Sequence, residues 1–197
     1  MNRTSAQALS RGKRARGFTL IEMMVGLGLS SIIFALAGSL WLFGSRSFVA
    51  MGNYADLDAK SRYSLDLMSR DIRQASQVTA FQKNGTTKWL TVTNALAGTS
   101  STYTWNPTPR TLVCQKTGQP DQVLLTECDS WVFDLYQRVP QSGTTYVFYP
   151  ATNTHGVYDL SICKLINMTW KCSRTILGSK VNTESVQTAQ VVLRNKQ

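Results

Sequence analysis

Three kinds of hydrophobic patterning follow one another along the chain. From Phe18 to Ser45 almost every position is apolar or small, and the 23 residues between Glu22 and Arg46 carry no charge. A helix needs about 20 apolar residues to span a bilayer, so this run predicts a helix of membrane length. Beyond it the pattern becomes amphipathic. Tyr54, Leu57, Ser61, Leu65, Met68, Ile72 and Ala75 advance in steps of three and four, which places them on one stripe of a helix. Asp56/Lys60, Asp58/Arg62 and Asp66/Arg70 stand four apart with the acid first, the better orientation for pairs on a helix surface. No proline interrupts residues 18–77. The two patterns together predict one helix over about 18–77, roughly 90 Å long. Its N-terminal half must find partners outside its own domain.

After residue 80 the period shortens to two. Residues 88–94, 102–106, 110–115, 122–126, 130–137 and 144–149 are β-rich runs. Asn-Gly-Thr-Thr, Asn-Pro-Thr-Pro, Thr-Gly-Gln-Pro-Asp and Gln-Ser-Gly punctuate them as turns. Tyr158, Leu160, Ile162, Ile166, Met168 and Trp170 alternate with mostly polar neighbours, as in a half-buried strand, and Lys164 breaks the alternation where a bend is expected. Residues 188–194 read as a last strand. The expected fold class is α+β, a long N-terminal helix packed on an antiparallel β-sheet domain. Four segments follow: a leader 1–17, an apolar helical half 18–45, an amphipathic half 46–79 and a β-rich head 80–197.

Charge changes how the N-terminus is read. The chain has 21 basic and 11 acidic residues, a net charge of +10. Five of the basic residues (Arg3, Arg11, Lys13, Arg14 and Arg16) precede Gly17, with no acidic residue among them, and without them the balance is 16 to 11. The excess therefore belongs to a processing segment, and a nucleic-acid partner gains no support from it. Basic residues before an apolar span favour a cytoplasmic N-terminus, with everything after Arg46 outside the cytoplasm.

Glu22 is the anomaly inside the apolar run. An ionisable residue in such a segment is expensive and marks function. A cut between Gly17 and Phe18 creates an α-amino group four residues ahead of it. That ammonium can neutralise the carboxylate within one chain or between stacked helices, and the second arrangement fixes axial register. A buried pair of this kind specifies geometry more than it stabilises.

Arg16-Gly17-Phe18-Thr19-Leu20-Ile21-Glu22-Met23-Met24-Val25 resembles the prepilin cleavage and methylation motif of type IV pilins and type II secretion pseudopilins. The resemblance implies cleavage after Gly17 by prepilin peptidase, N-methylation of Phe18 and an assembly role for Glu22. It also implies a type IV pilin-like fold, and as partners other pilins or pseudopilins, the peptidase, the membrane and inner-membrane assembly machinery. Residues 63–75, Leu124-Leu125-Thr126 ahead of residues 131–136, and Val191-Val192-Leu193-Arg194-Asn195 resemble W-type minor pilins and J-type pseudopilins. Ser39 stands where many major pilins carry a helix-kinking proline. Two other readings remain: an ordinary signal peptide cut after Ala35-Leu36-Ala37, and an uncleaved anchor carrying an exported binding module.

Cys114, Cys128, Cys163 and Cys172 all fall in the exported part, where disulfides are permitted. Thirteen residues separate the first two and eight the last two, so neither pair is a CxxC. Sequential pairing, Cys114–Cys128 and Cys163–Cys172, closes the shorter loops and is the expected connectivity. His155, the single histidine, lies in a loop-like stretch, so no zinc site is expected. Gly26 and Ser30 are spaced for close helix approach. Trp89, Trp105, Trp131 and Trp170 read as core or interface. No nucleophile–base set and no phosphate-binding glycine loop appears, which leaves neither an enzyme nor a cofactor to expect.

Overall fold

The computed structural model describes residues 17–140, 146–175 and 184–194. Residues 1–16 of the expected leader, residues 144–145 of one expected strand, and Asn195 lie outside them. The chain divides into two compact units, residues 1–45 and 46–197.

One helix, α1, runs over Leu20–Gln74. It begins where Thr19 caps it and ends as Ala75 N–H donates to both Asp71 and Ile72 carbonyls. Within the first unit the apolar helical side chains are exposed. The hydroxyls of Ser31, Ser39 and Ser45 fold back onto helix carbonyls, with Ser39 Oγ 2.8 Å from Leu36 O. Helical geometry continues unbroken through Ser39.

In the second unit α1 presents the predicted stripe. Leu57, Ser61, Met68, Ile72 and Ala75 are buried, joined by Ser64 and Leu67, while Tyr54 lies outside the core. Two of the three expected helix-surface pairs close, Lys60–Asp56 at 3.1 Å and Arg62–Asp58 at 2.8 Å. Asp66 and Arg70 do not form the third among the described residues.

Nine strands follow among the described residues: β1 Gln77–Gln82, β2 Lys88–Asn94, β3 Thr99–Asn106, β4 Thr111–Lys116, β5 Gln122–Leu125, β6 Cys128–Pro140, β7 Tyr146–Pro150, β8 Leu165–Ser173 and β9 Glu184–Val192. They form two antiparallel sheets and not one. The first is the meander β1-β2-β3-β4-β5, and the second has the order β7-β6-β8-β9. The change of sheet falls between β5 and β6, at Glu127, whose φ of 60° is unusual for a residue with a Cβ. β1 was not anticipated from the sequence. The alternation from Tyr158 to Trp170 resolves into a 3-10 turn at Leu160–Ile162 and then β8, with the break at Lys164.

Trp131 and Trp170 face each other across β6 and β8, followed by Phe133 with Met168 and Leu135 with Ile166. These layers and the buried α1 stripe belong to one hydrophobic cluster with Leu90, Tyr103 and Leu112 of the first sheet. Trp105 is buried with them, and Trp89 is only half-buried.

Polar clasps hold α1 to the sheets. Arg174 donates to Glu127 through Nε and Nη2, to Asn53 Oδ1 at 3.0 Å and to Asp56 Oδ2 at 2.9 Å. Ser64 Oγ lies 2.8 Å from Leu124 O, and Arg194 N–H reaches Arg73 O at the far end. Lys116 Nζ sits 2.7 Å from Asp71, which also accepts from Tyr103.

Arg174→Ala frees Glu127 and Asn53 together, and bonds to charged groups are worth about 1.5–3 kcal/mol each in favourable sites. Because a quarter of the Arg174 side chain is exposed, the expected loss is about 1–2 kcal/mol, read from urea unfolding. Lys60 first, and Arg174 second, hold the Asp56 carboxyl below its usual value of 3.8. A depressed carboxylate stabilises the fold above that value, and the contribution disappears as pH falls through the lower folded-state value. The difference between wild type and Arg174→Ala should accordingly narrow in acid and stay constant from pH 5 to 8.

Candidate functional site

The residues around the expected cleavage point form a defined start to the helix. Gly17, Phe18 and Thr19 precede the first helical residue, and Phe18 is 83 % exposed. Thr19 N–H donates to Glu22 Oε2 at 2.8 Å, and Thr19 Oγ1 lies 3.0 Å from the same oxygen. In return Glu22 N–H donates to Thr19 Oγ1 at 3.3 Å. This reciprocal pair is a capping box, in which Ser or Thr at the cap and Glu or Gln three residues on satisfy two orphan backbone donors. Met23 N–H then bonds Thr19 O at 3.2 Å and opens the helical ladder.

Glu22 thus has a partner in the isolated chain before any N-terminal ammonium is supplied. The sequence reading missed Thr19, although the Thr-x-x-Glu spacing is a helix-start signal by itself. The carboxylate is exposed at the head of the apolar run. A second oxygen, Oε1, remains beside the one that Thr19 occupies.

The surface around this box is apolar. Leu20, Ile21, Met24, Leu27, Ile33 and Phe34 are each at least 64 % exposed. A Cβ built on Gly26, Gly28, Gly38 or Gly44 would meet nothing within 4 Å. By length and composition α1 is the one helix among the described residues able to cross a membrane.

The cysteines lie elsewhere, all four buried and present as thiols. Cys128 on β6 is the register partner of Cys172 on β8, and Cys114 on β4 is that of Tyr103 on β3. Loop length had favoured Cys114–Cys128 and Cys163–Cys172, whereas the strand register sets Cys128 against Cys172. The reason is that strand pairing, fixed by the alternating core layers, brings together residues far apart in sequence. Burial, above all, pushes the Cys114 thiol up to about 11 and keeps it protonated at neutral pH. His155 lies in an exposed turn built on Asn153.

Comparison with known protein families matched the prokaryotic N-terminal methylation motif to residues 12–38. Comparison with curated proteins and with solved structures gave no match. The matched segment holds Gly17, Phe18, the Thr19–Glu22 box and the first half of the exposed apolar helix. The N-terminal segment thus carries the prokaryotic N-terminal methylation motif, and among the described residues one long helix precedes antiparallel sheets, an α+β architecture consistent with a type IV pilin-like fold.

Proposed function

We propose that this chain is a minor pilin or pseudopilin, a structural subunit that assembles into, primes or caps a type IV pilus or a type II secretion pseudopilus. The observation that carries the reading is the methylation motif set at the head of a long helix whose apolar side chains are exposed within the first unit. Such a surface requires lipid first and neighbouring helices afterwards. The precursor sits in the inner membrane with its basic leader in the cytoplasm and its head exported. Prepilin peptidase cuts after Gly17 and the new Phe18 amine is methylated. Glu22 then offers its carboxylate to the N-terminus of a neighbouring subunit. The head takes no catalytic part; it meets other subunits at the filament surface or tip.

Intact-mass analysis of the mature protein tests this directly. The expected N-terminus is N-methyl-Phe18. A mature chain beginning at Gly38 would overturn the reading in favour of a secreted soluble protein. A chain retaining Met1 would make it an anchored exported binding module.

A further inference from the structure

Along the solvent side of α1 runs a groove of about 630 Å³ lined by arginines, Arg62, Arg70 and Arg73 from the helix and Arg194 from the end of the second sheet. Arg62 is engaged by Asp58. Arg70, Arg73 and Arg194 have no acidic partner among the described residues. Asp66 is the single carboxylate in the lining. A cluster of guanidinium groups held together by a helix and a strand end is self-repelling, and an incoming anion relieves that repulsion. Arginine also binds planar oxyanions through two parallel N–H bonds, which lysine cannot.

We propose that this groove docks an acidic peptide segment belonging to a different protein. The helical stretch from Arg62 to Arg73 is about 16 Å long, which accommodates roughly five residues of extended chain. No aromatic side chain lines the groove, so it lacks the stacking platforms that single-stranded nucleic acid uses. A second copy of this chain is a poor occupant. Nine of its eleven acidic residues are already held, Asp56, Asp58, Asp71, Asp129, Asp134, Glu127 and Glu184 by ion pairs, Asp121 by Gln115 and Asp159 by Ser161, and Asp66 lies within the groove's own lining. Glu22 gives one oxygen to its capping box and belongs to the apolar half of the helix. The complementary acids must therefore come from another protein. The inference stands on the groove alone and does not depend on the filament reading.

The test uses full-length protein in neutral detergent with a fluorescein-labelled hexaglutamate peptide, followed by anisotropy. Wild type should bind it in a salt-sensitive way, and Arg70→Gln/Arg73→Gln should weaken binding at least tenfold with no change in thermal midpoint. Lys164→Gln, a basic change away from the groove, should leave binding unaltered. Arg70→Lys/Arg73→Lys keeps the charge but not the fork, so it should recover only part of the affinity. Equal binding by wild type and the double glutamine variant would overturn the proposal. So would a dodecathymidylate probe that binds more tightly than the peptide with the same arginine dependence, because the occupant would then be a phosphate polymer.

A separate observation concerns Cys128 and Cys172. Directly opposed residues of antiparallel strands have Cα atoms about 4.5–5.5 Å apart, within the range that a disulfide bridges. We infer that these two thiols are joined in the exported head, an inference that rests on the head leaving the cytoplasm. Two S–H bonds break and one S–S bond forms. Two protons are released, and two electrons pass to the disulfide of an oxidised thiol–disulfide oxidoreductase, which leaves as a dithiol. Non-reducing peptide mapping of cell-derived protein, with free thiols blocked at lysis, should give a cross-linked Cys128–Cys172 peptide. A Cys114–Cys128 or Cys163–Cys172 peptide would overturn it. If all four cysteines are alkylated, the purified protein is treated with oxidised glutathione. Formation of the bridge there supports the geometry and sets the failure on export, and no bridge there refutes the geometry.

Discussion

Glu22→Ala should leave membrane insertion and cleavage after Gly17 intact while lowering recovery of the subunit in sheared filaments at least tenfold. Tenfold corresponds to about 1.4 kcal/mol, a modest demand on a carboxylate that would otherwise pair with an ammonium in an apolar surrounding. The capping box complicates the alanine result, because loss of a cap by itself weakens a helix start by about 0.5–2 kcal/mol. Glu22→Gln separates the two roles. Glutamine retains an acceptor for Thr19 N–H and satisfies the same box, yet carries no charge. If the charge registers subunits, Glu22→Gln fails to assemble as severely as Glu22→Ala. If glutamine assembles normally, Glu22 serves only the helix start. The complementary change, Thr19→Ala, removes the hydroxyl and keeps the charge, and it should assemble at near wild-type levels.

Trp170→Ala should unfold the head more readily than any other single change considered. Trp170 and its cross-strand partner Trp131 are fully buried, and large-to-small changes of buried tryptophan cost about 3–5 kcal/mol. At roughly 2–4 °C per kcal/mol for a unit of this size, the thermal midpoint should fall by about 10 °C. Trp170→Phe should be much milder. The indole Nε1 of each tryptophan is buried without a partner, and a buried unsatisfied donor costs about 1–3 kcal/mol. Phenylalanine gives up ring area but also removes the orphan N–H, so the losses partly offset. A midpoint as low for Trp170→Phe as for Trp170→Ala, measured by thermal circular dichroism, would show that removing the orphan N–H brings no relief and that the core requires the full indole shape.

The elements that the sequence disclosed are those governed by local rules. The α1 stripe follows from period 3.6, and β2 matches its expected range residue for residue because Lys88–Asn94 alternates cleanly between turn signals. β1 escaped because Gln77–Gln82 begins two residues beyond the helix and its register slips between Val78 and Ala80, which spoils the alternation. The division into two sheets was equally invisible. It depends on a positive φ at Glu127, a residue type that carries no turn signal, held in place by an arginine 47 positions away. At the N-terminus the apolar run and the methylation motif were legible, since their meaning lies in sequence order. The groove of Arg70, Arg73 and Arg194 and the juxtaposition of Cys128 with Cys172 were not, since strand pairing creates both.

Three of the clasps between α1 and the sheets have a mechanical consequence. Arg174 at Asn53 and Asp56, Ser64 at Leu124, and Arg73 at Arg194 are spaced along the helix instead of clustered at one end. Tension directed along the helix axis would shear all three at once, dividing the force among them. A pull across the axis would peel them in turn, so this head should resist drag along α1 far better than a sideways tug.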